Sequence, residues 1–208
     1  MVLGDPAENS SVSDLVVLTG DVYAIGMHNK KGKTPIACYW KNGKSTDLGD
    51  AGIYAGEQAI AVSGNDIYML WAGTYNNQGF SRTSYTKNFG ALETIKDAAG
   101  NFEGNSLALS GNDIYVSGFG ISNTGNVFSP TYYKNTAPVL ITDGPKSAFA
   151  TSIALDGKDI YVSGWTENVD EGKSPAACYW INGKIVLLGN GSSQSLARKI
   201  MVLPAKRS

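Results

Sequence analysis

Short apolar runs recur along this chain, each followed by a polar, glycine-bearing break and a second run built on aspartate, a β-branched residue and tyrosine. The first runs are Leu15-Val16-Val17-Leu18, Ile60-Ala61-Val62, Leu107-Ala108-Leu109 and Ile153-Ala154-Leu155. The second runs carry Tyr23, Tyr68, Tyr115 and Tyr161 and close on glycine at Gly26, Gly118 and Gly164. Two β-rich runs joined by a Gly/Asn/Asp dipeptide predict an antiparallel hairpin. A polar stretch then leads to a third run, at 36–40, 83–86, 131–133 and 176–180. Its turn carries Asn42, Asn88, Asn135 or Asn182, and a fourth run such as Ile185-Val186-Leu187-Leu188 completes the group. These are strands A to D.

The tyrosines are 45, 47 and 46 residues apart, and the turn asparagines 46, 47 and 47. Four short antiparallel strands at a period near 46 predict propeller blades. The expected fold is therefore all-β, of β-propeller type, with four repeats of four antiparallel strands in one domain over 1–208. The repeats span about 14–56, 57–104, 105–149 and 150–196. Overlaying Val2-Leu3-Gly4 on Leu187-Leu188-Gly189 places Leu15-Val16-Val17-Leu18 on Ile200-Met201-Val202-Leu203. Incomplete extra strands are thus expected at both ends, with a partial fifth repeat over 197–208. Three arrangements accommodate them: a four-bladed ring with a surplus strand, a piece of a longer array, or ends completed by another chain, since open strand edges invite partners.

The phrase Gly-Asn-Asp-Ile-Tyr-Val-Ser-Gly at 111–118, with Cys-Tyr-Trp-Ile-Asn-Gly-Lys at 178–184, resembles propeller-like repeats of secreted bacterial proteins and lipoproteins. More distantly it resembles the kelch repeat. The resemblance implies blades and a secreted, periplasmic or cell-surface location, and it specifies no chemistry. Met1-Val2-Leu3-Gly4-Asp5-Pro6 has neither the basic nor the apolar part of a signal peptide. The expectation is either a cytosolic protein or an export segment outside this sequence.

Composition narrows the function classes. Seventeen basic residues against eighteen acidic ones leave no electrostatic footprint for nucleic acid. No run reaches the roughly 20 apolar residues of a membrane span. Cys38 and Cys178 occupy equivalent repeat positions, too distant for a bridge, and read as small buried apolar residues. No Gly-rich phosphate loop opens a helix, so no cofactor is expected, and one histidine with two repeat-related cysteines makes no zinc site. That histidine, His28, reads as solvated in a polar loop past strand B.

Two sets of residues are candidates for ligand binding. Trp71, Phe119 and Trp165, with Met27 as counterpart in the first repeat, fall where strand B gives way to a long loop, so repeat symmetry places them on one face. Such aromatics stack on sugars or anchor a protein partner. Gln58, Asn105, Thr151 and Arg198, with Ser13, begin successive A strands, which line the channel of a propeller. Glu167, Asp170 and Glu171 crowd one loop of the fourth repeat, and paired carboxylates at roughly 5–9.5 Å hydrolyse glycosidic bonds. The leading expectation is a non-enzymatic binding or interaction module for carbohydrate or protein. The alternatives are a glycoside hydrolase or lyase using Glu167 and Asp170, and a structural protein that completes its ring by self-association.

Overall fold

A computed structural model describes residues 9–29, 36–48, 53–75, 81–95, 102–121, 127–141, 146–167 and 170–203. Every regular element among them is a strand. Blade 1 comprises β1 (Asn9–Leu18), β2 (Asp21–Asn29), β3 (Ile36–Lys41) and β4 (Lys44–Asp47). Blade 2 comprises β5 (Ile53–Ser63), β6 (Asp66–Tyr75), β7 (Ser81–Lys87) and β8 (Glu93–Ile95). Blade 3 has β9 (Glu103–Ser110), β10 (Asp113–Ile121), β11 (Phe128–Lys134) and β12 (Ala137–Leu140). Blade 4 has β13 (Ala148–Asp156), β14 (Asp159–Thr166), β15 (Ala176–Ile181) and β16 (Lys184–Leu187). Each blade is a four-stranded sheet in chain order, with its registered pairs antiparallel, so the fold is all-β and propeller-type as the periodicity predicts.

The chain divides into two compact halves, 1–105 and 106–208. In the N-terminal half β1, β2 and β3 pack against β5, and in the C-terminal half β10 and β11 pack against β13. The A strand of one blade is thus covered by its predecessor. The first core gathers Tyr23, Ile25, Ile60, Ile67, Met69 and Trp71, and the second includes Tyr115, Ile153, Val162, Cys178 and Trp180. The same stitch crosses each interface: Ile60 N donates to the Asp14 carboxylate at 3.2 Å, and Ile153 N to the Ser106 hydroxyl at 3.3 Å.

Every C–D turn begins with an asparagine in the left-handed region, at φ 50°, 51°, 57° and 49° for Asn42, Asn88, Asn135 and Asn182. Asparagine tolerates this region better than any other residue with a Cβ. Its amide also reaches across to strand B. Asn135 Oδ1 accepts from Ile114 N at 3.0 Å, Asn135 Nδ2 donates to Asp113 at 3.0 Å, and Asn135 N donates to Ile114 O at 2.7 Å. Asn42, Asn88 and Asn182 make the same three bonds with the B strands of their own blades. In blades 1 to 3 a lysine joins the aspartate and lies over the repeat tyrosine: Lys41 on Asp21 and Tyr23, Lys87 on Asp66 and Tyr68, Lys134 on Asp113 and Tyr115. Blade 4 has Ile181 at that position.

Glycine in strand B is a packing requirement in blades 1 and 4. A Cβ on Gly26 would collide with the Ser11 carbonyl and lie 3.0 Å from the Trp40 ring, and one on Gly164 would meet the Phe149 carbonyl and lie 3.0 Å from Trp180. Each glycine lets the indole from strand C lie flat on the sheet. Trp40 and Trp180 are fully buried, and among the described residues neither indole N–H has an acceptor. Cys38 and Cys178 are buried beside them and form no disulfide. Burial pushes the Cys178 thiol up to about 12.

Of the incomplete end strands, Val2-Leu3-Gly4 lies outside the described residues. Residues 197–203 adopt no regular strand, although Ala197 N donates to Gly164 O at 3.2 Å and Ala197 O accepts from the Thr151 hydroxyl at 2.7 Å.

The asparagine clasp predicts an unusual order of substitutions. Asn135→Ala loses the side-chain bonds and puts a Cβ without local hydrogen bonding into the left-handed region, a cost of about 1–2 kcal/mol for the backbone alone. Asn135→Gly loses only the bonds, so in denaturant unfolding it should be the more stable of the two. Asp21, Asp66 and Asp113 are held below the ordinary carboxylate range, first by the lysine and then by the asparagine amide. A depressed carboxyl adds stability that is in place above its unfolded pKa of about 3.9 and is lost as pH falls through the folded value. The gap between wild type and Asn135→Ala should therefore narrow below about pH 4.

Candidate functional site

The residues proposed for one aromatic face separate into two groups. Trp71 is 3% exposed and belongs to the core of the N-terminal half, packed with Tyr23, Ile60 and Met69. This corrects its assignment to the ligand face. Counting from the repeat tyrosines, Trp71 occupies the position of Gly26, Gly118 and Gly164, one residue before the position of Phe119 and Trp165. Side chains alternate between faces along a strand, so one residue exchanges surface for core. Blade 2 has swapped volume between neighbouring strands: Trp71 stands where the other blades have glycine, and buried Thr86 stands where they have Trp40, Tyr133 and Trp180. A bulky side chain from strand B fills the space that strand C fills elsewhere.

Phe119 and Trp165, by contrast, lie on a shared patch in the C-terminal half. Phe149 stacks on Trp165 with centroids 4.1 Å apart and planes at 18°, the two being direct partners across β13 and β14. Phe128 lies 4.7 Å from Phe149, and Phe119 meets Phe149 edge-on at 4.9 Å and Phe128 at 5.6 Å. All four rings are half-buried. Phe128 opens strand C of blade 3 and Phe149 lies in strand A of blade 4, so neither holds the strand-B repeat position that marks Phe119 and Trp165 in the sequence. Their signal is local: each lies at the outer end of a strand that pairs with Phe119 or Trp165.

Ser147 ties this patch together. Its hydroxyl accepts from Phe128 N at 3.2 Å, and its carbonyl accepts from Glu167 N at 2.8 Å. Glu167 is therefore anchored two residues beyond Trp165, with its carboxylate exposed. Asp170 and Glu171 follow, also exposed. Their loop is braced where Lys173 N donates to Asp170 O, Lys173 Nζ to Asn190 O at 3.2 Å and Ser174 N to Gly191 O at 2.9 Å. The arrangement sets hydrophobic ring faces near the anchored backbone of Glu167, with the exposed carboxylates of Asp170 and Glu171 on a separately braced segment.

The polar A-strand residues are divided between the two halves, and each has its own surroundings. Ser13 and Thr151 are the extra residues of β-bulges, lying between Val12 and Asp14 and between Ala150 and Ser152. Thr151 spends its hydroxyl on Ser163 and Ala197, joining blade 4 to the segment that carries exposed Arg198. The side chain of Gln58 lies outside the described residues, and its backbone pairs with Trp71. Asn105 is half-buried at the end of the N-terminal half. His28 is also corrected: β2 continues past Gly26 to Asn29, so His28 is in a strand and buried, with Nε2 2.7 Å from Asp47 Oδ1. Among the described residues no three histidine, cysteine, aspartate or glutamate side chains converge as a metal site. Among those residues, too, no helix is long and apolar enough to cross a membrane.

No family model and no curated protein matches the chain. Solved structures do. A puromycin-hydrolyzing peptidase of Mycobacterium tuberculosis superposes with a TM-score of 0.55 at 10% identity over 90% of this chain, which spans about a third, 32%, of that one. A thermostable family-43 glycoside hydrolase superposes at 0.51 with 11% identity, covering 87% of this chain and 75% of the other. These likenesses establish the fold. The expectation of a non-enzymatic module, which rested on the lack of a familiar catalytic motif, is corrected by them, since the structures that share this fold include hydrolases.

The placement of the two tryptophans predicts opposite responses. Trp71→Ala opens a cavity in the core and should cost about 3–5 kcal/mol. Trp165→Ala loses a half-exposed stack, about 0.5–1.5 kcal/mol beyond area. Comparable losses in denaturant unfolding would contradict the assignment of Trp71 to the core.

Proposed function

We propose that the protein is a carbohydrate-active hydrolase that cleaves a glycosidic bond beside the aromatic patch of the C-terminal half. The observation that carries this reading is the juxtaposition of the Phe149–Trp165 stack with Glu167, whose backbone is pinned to Ser147. Half-buried ring faces bind the apolar faces of sugars, and the exposed carboxylate carried by the anchored Glu167 backbone can reach the linking oxygen of a sugar held there. Glu167 serves as the acid that protonates the departing oxygen. Asp170, whose carbonyl is bonded by Lys173 N, is the second carboxylate, which assists water or attacks the anomeric carbon. The likeness to a family-43 glycoside hydrolase over most of both chains supports the same class.

Chromogenic arabinofuranosides, xylosides and glucosides, assayed between about pH 4 and 9, test the proposal. Hydrolysis of at least one substrate is expected, with kcat falling about 100-fold or more in Glu167→Gln. Trp165→Ala should act mainly on KM, because it removes binding that ground and transition states share. Inactivity across the panel, or full activity in Glu167→Gln and Asp170→Asn alike, would refute the assignment.

A further inference from the structure

The C–D turn of blade 2 carries a strained phenylalanine. Phe89, between β7 and β8, has φ 62°. The corresponding turns of blades 1 and 4 place Gly43 and Gly183 there, at φ 89° and 83°. Glycine enters the left-handed region freely, whereas a bulky side chain in it is an outlier that marks a constraint beyond the turn itself. Asn42-Gly43 and Asn182-Gly183 show that this fold has an unstrained solution, so what the position retains in blade 2 is the phenyl ring.

Packing between blades does not require that ring. Phe89 stacks on Tyr39 of blade 1 with centroids 4.4 Å apart and planes at 27°, and lies 6.1 Å from Tyr23. The blade 3 counterparts of these tyrosines are Tyr132 and Tyr115, and blade 4 packs on blade 3 with Gly183 at the turn position. The equivalent contact thus closes with no ring. Tyr39 takes one face of Phe89, yet the residue stays 40% exposed. The flank of the stack is polar. Lys41 Nζ lies 5.1 Å over the Tyr23 ring and pairs with Asp21 at 2.8 Å, both side chains being exposed. That pair cancels its own charge, so an ion of either sign gains little from it. Hydroxyl groups can still donate to its carboxylate and accept from its ammonium.

We infer that Phe89, stacked on Tyr39 and flanked by the Asp21–Lys41 pair, is a platform in the N-terminal half that holds a unit of a neutral carbohydrate chain without cleaving it. The ring supplies a face for the apolar side of a sugar, and the pair supplies partners for its hydroxyl groups. The choice of carbohydrate rests on the proposed hydrolase function; the strained, exposed ring and its uncharged flank do not.

Native electrophoresis of the full chain through gels containing soluble arabinan, arabinoxylan or β-glucan tests the platform. The chain carries Glu167→Gln so that the probe stays intact. Retardation by at least one polysaccharide is expected. Phe89→Gly should weaken the apparent affinity about 3- to 10-fold, as the loss of one aromatic stack, whereas Phe89→Tyr keeps a ring and should retain it. Phe89→Gly should also unfold on heating at a temperature no lower than its parent, because it relieves the strained backbone. A lower unfolding temperature would assign the ring to packing and overturn the inference. Unchanged retardation in Phe89→Gly, or no retardation by any of the polysaccharides, would overturn it as well. Hydrolysis of the chromogenic substrates by the wild-type chain separates the two claims. Hydrolysis without retardation removes the platform alone, and retardation that depends on Phe89 without hydrolysis removes the hydrolase reading and keeps the platform.

Discussion

The A strands β5 and β13 are each bonded by one edge to their own sheet and buried by a face under the preceding blade of the same half. Four strands of three to eleven residues make a sheet too small to bury an apolar face alone. The effect of cover is visible at one repeat position. Ile60 and Ile153, under blades 1 and 3, are 5% and 4% exposed, whereas Leu15, which no sheet of its own half covers, is 54% exposed. The same aliphatic residue type is core or surface according to its neighbour. At about 25 cal/mol per Å2, that difference is what makes two blades fold where one would not.

Several details follow from the need to bring one sheet close to another. Bulges at Ser13 and Thr151 drive a carbonyl of the A strand toward strand B, and Gly26 and Gly164 leave room for it. The same glycines admit Trp40 and Trp180. Blade 2 reaches a similar packing with Trp71 and Thr86 exchanged, which shows that the constraint is on volume and not on residue identity at one position. Outside the core, the asparagine clasps close each blade from its far edge, holding the C–D turn to the start of strand B.

Much of this architecture is legible in the sequence, because the clasp residues must recur. Only asparagine combines tolerance of the left-handed region with an amide that bonds both Asp113 and Ile114, so Asn42, Asn88, Asn135 and Asn182 mark the period by chemistry. The candidate site is legible only in part. Phe119 and Trp165 share a strand-B position that the repeat makes visible, whereas Trp71 sits one residue earlier, where the alternation of side chains sends it to the core. His28 was misjudged because nothing in its composition shows that β2 runs three residues past Gly26. Phe149 joins the patch as the cross-strand partner of Trp165 and Phe128 by packing its ring against Phe149, contacts that a single sequence does not display. The carboxylates of the blade 4 loop could be named from sequence, while their bracing by Ser147 and Asn190 could not.

Amide hydrogen exchange on the intact chain, compared between wild type and Gly26→Ala, tests the dependence of one blade on another most directly. The added methyl group strikes blade 1 only, at the Ser11 carbonyl and the Trp40 ring. If faces between blades hold the fold, the slow amides of β5 and β6 in blade 2 should lose protection together with those of β2 and β3. If β5 and β6 keep their wild-type protection while β2 and β3 exchange freely, the blades are independently stable and the account is wrong.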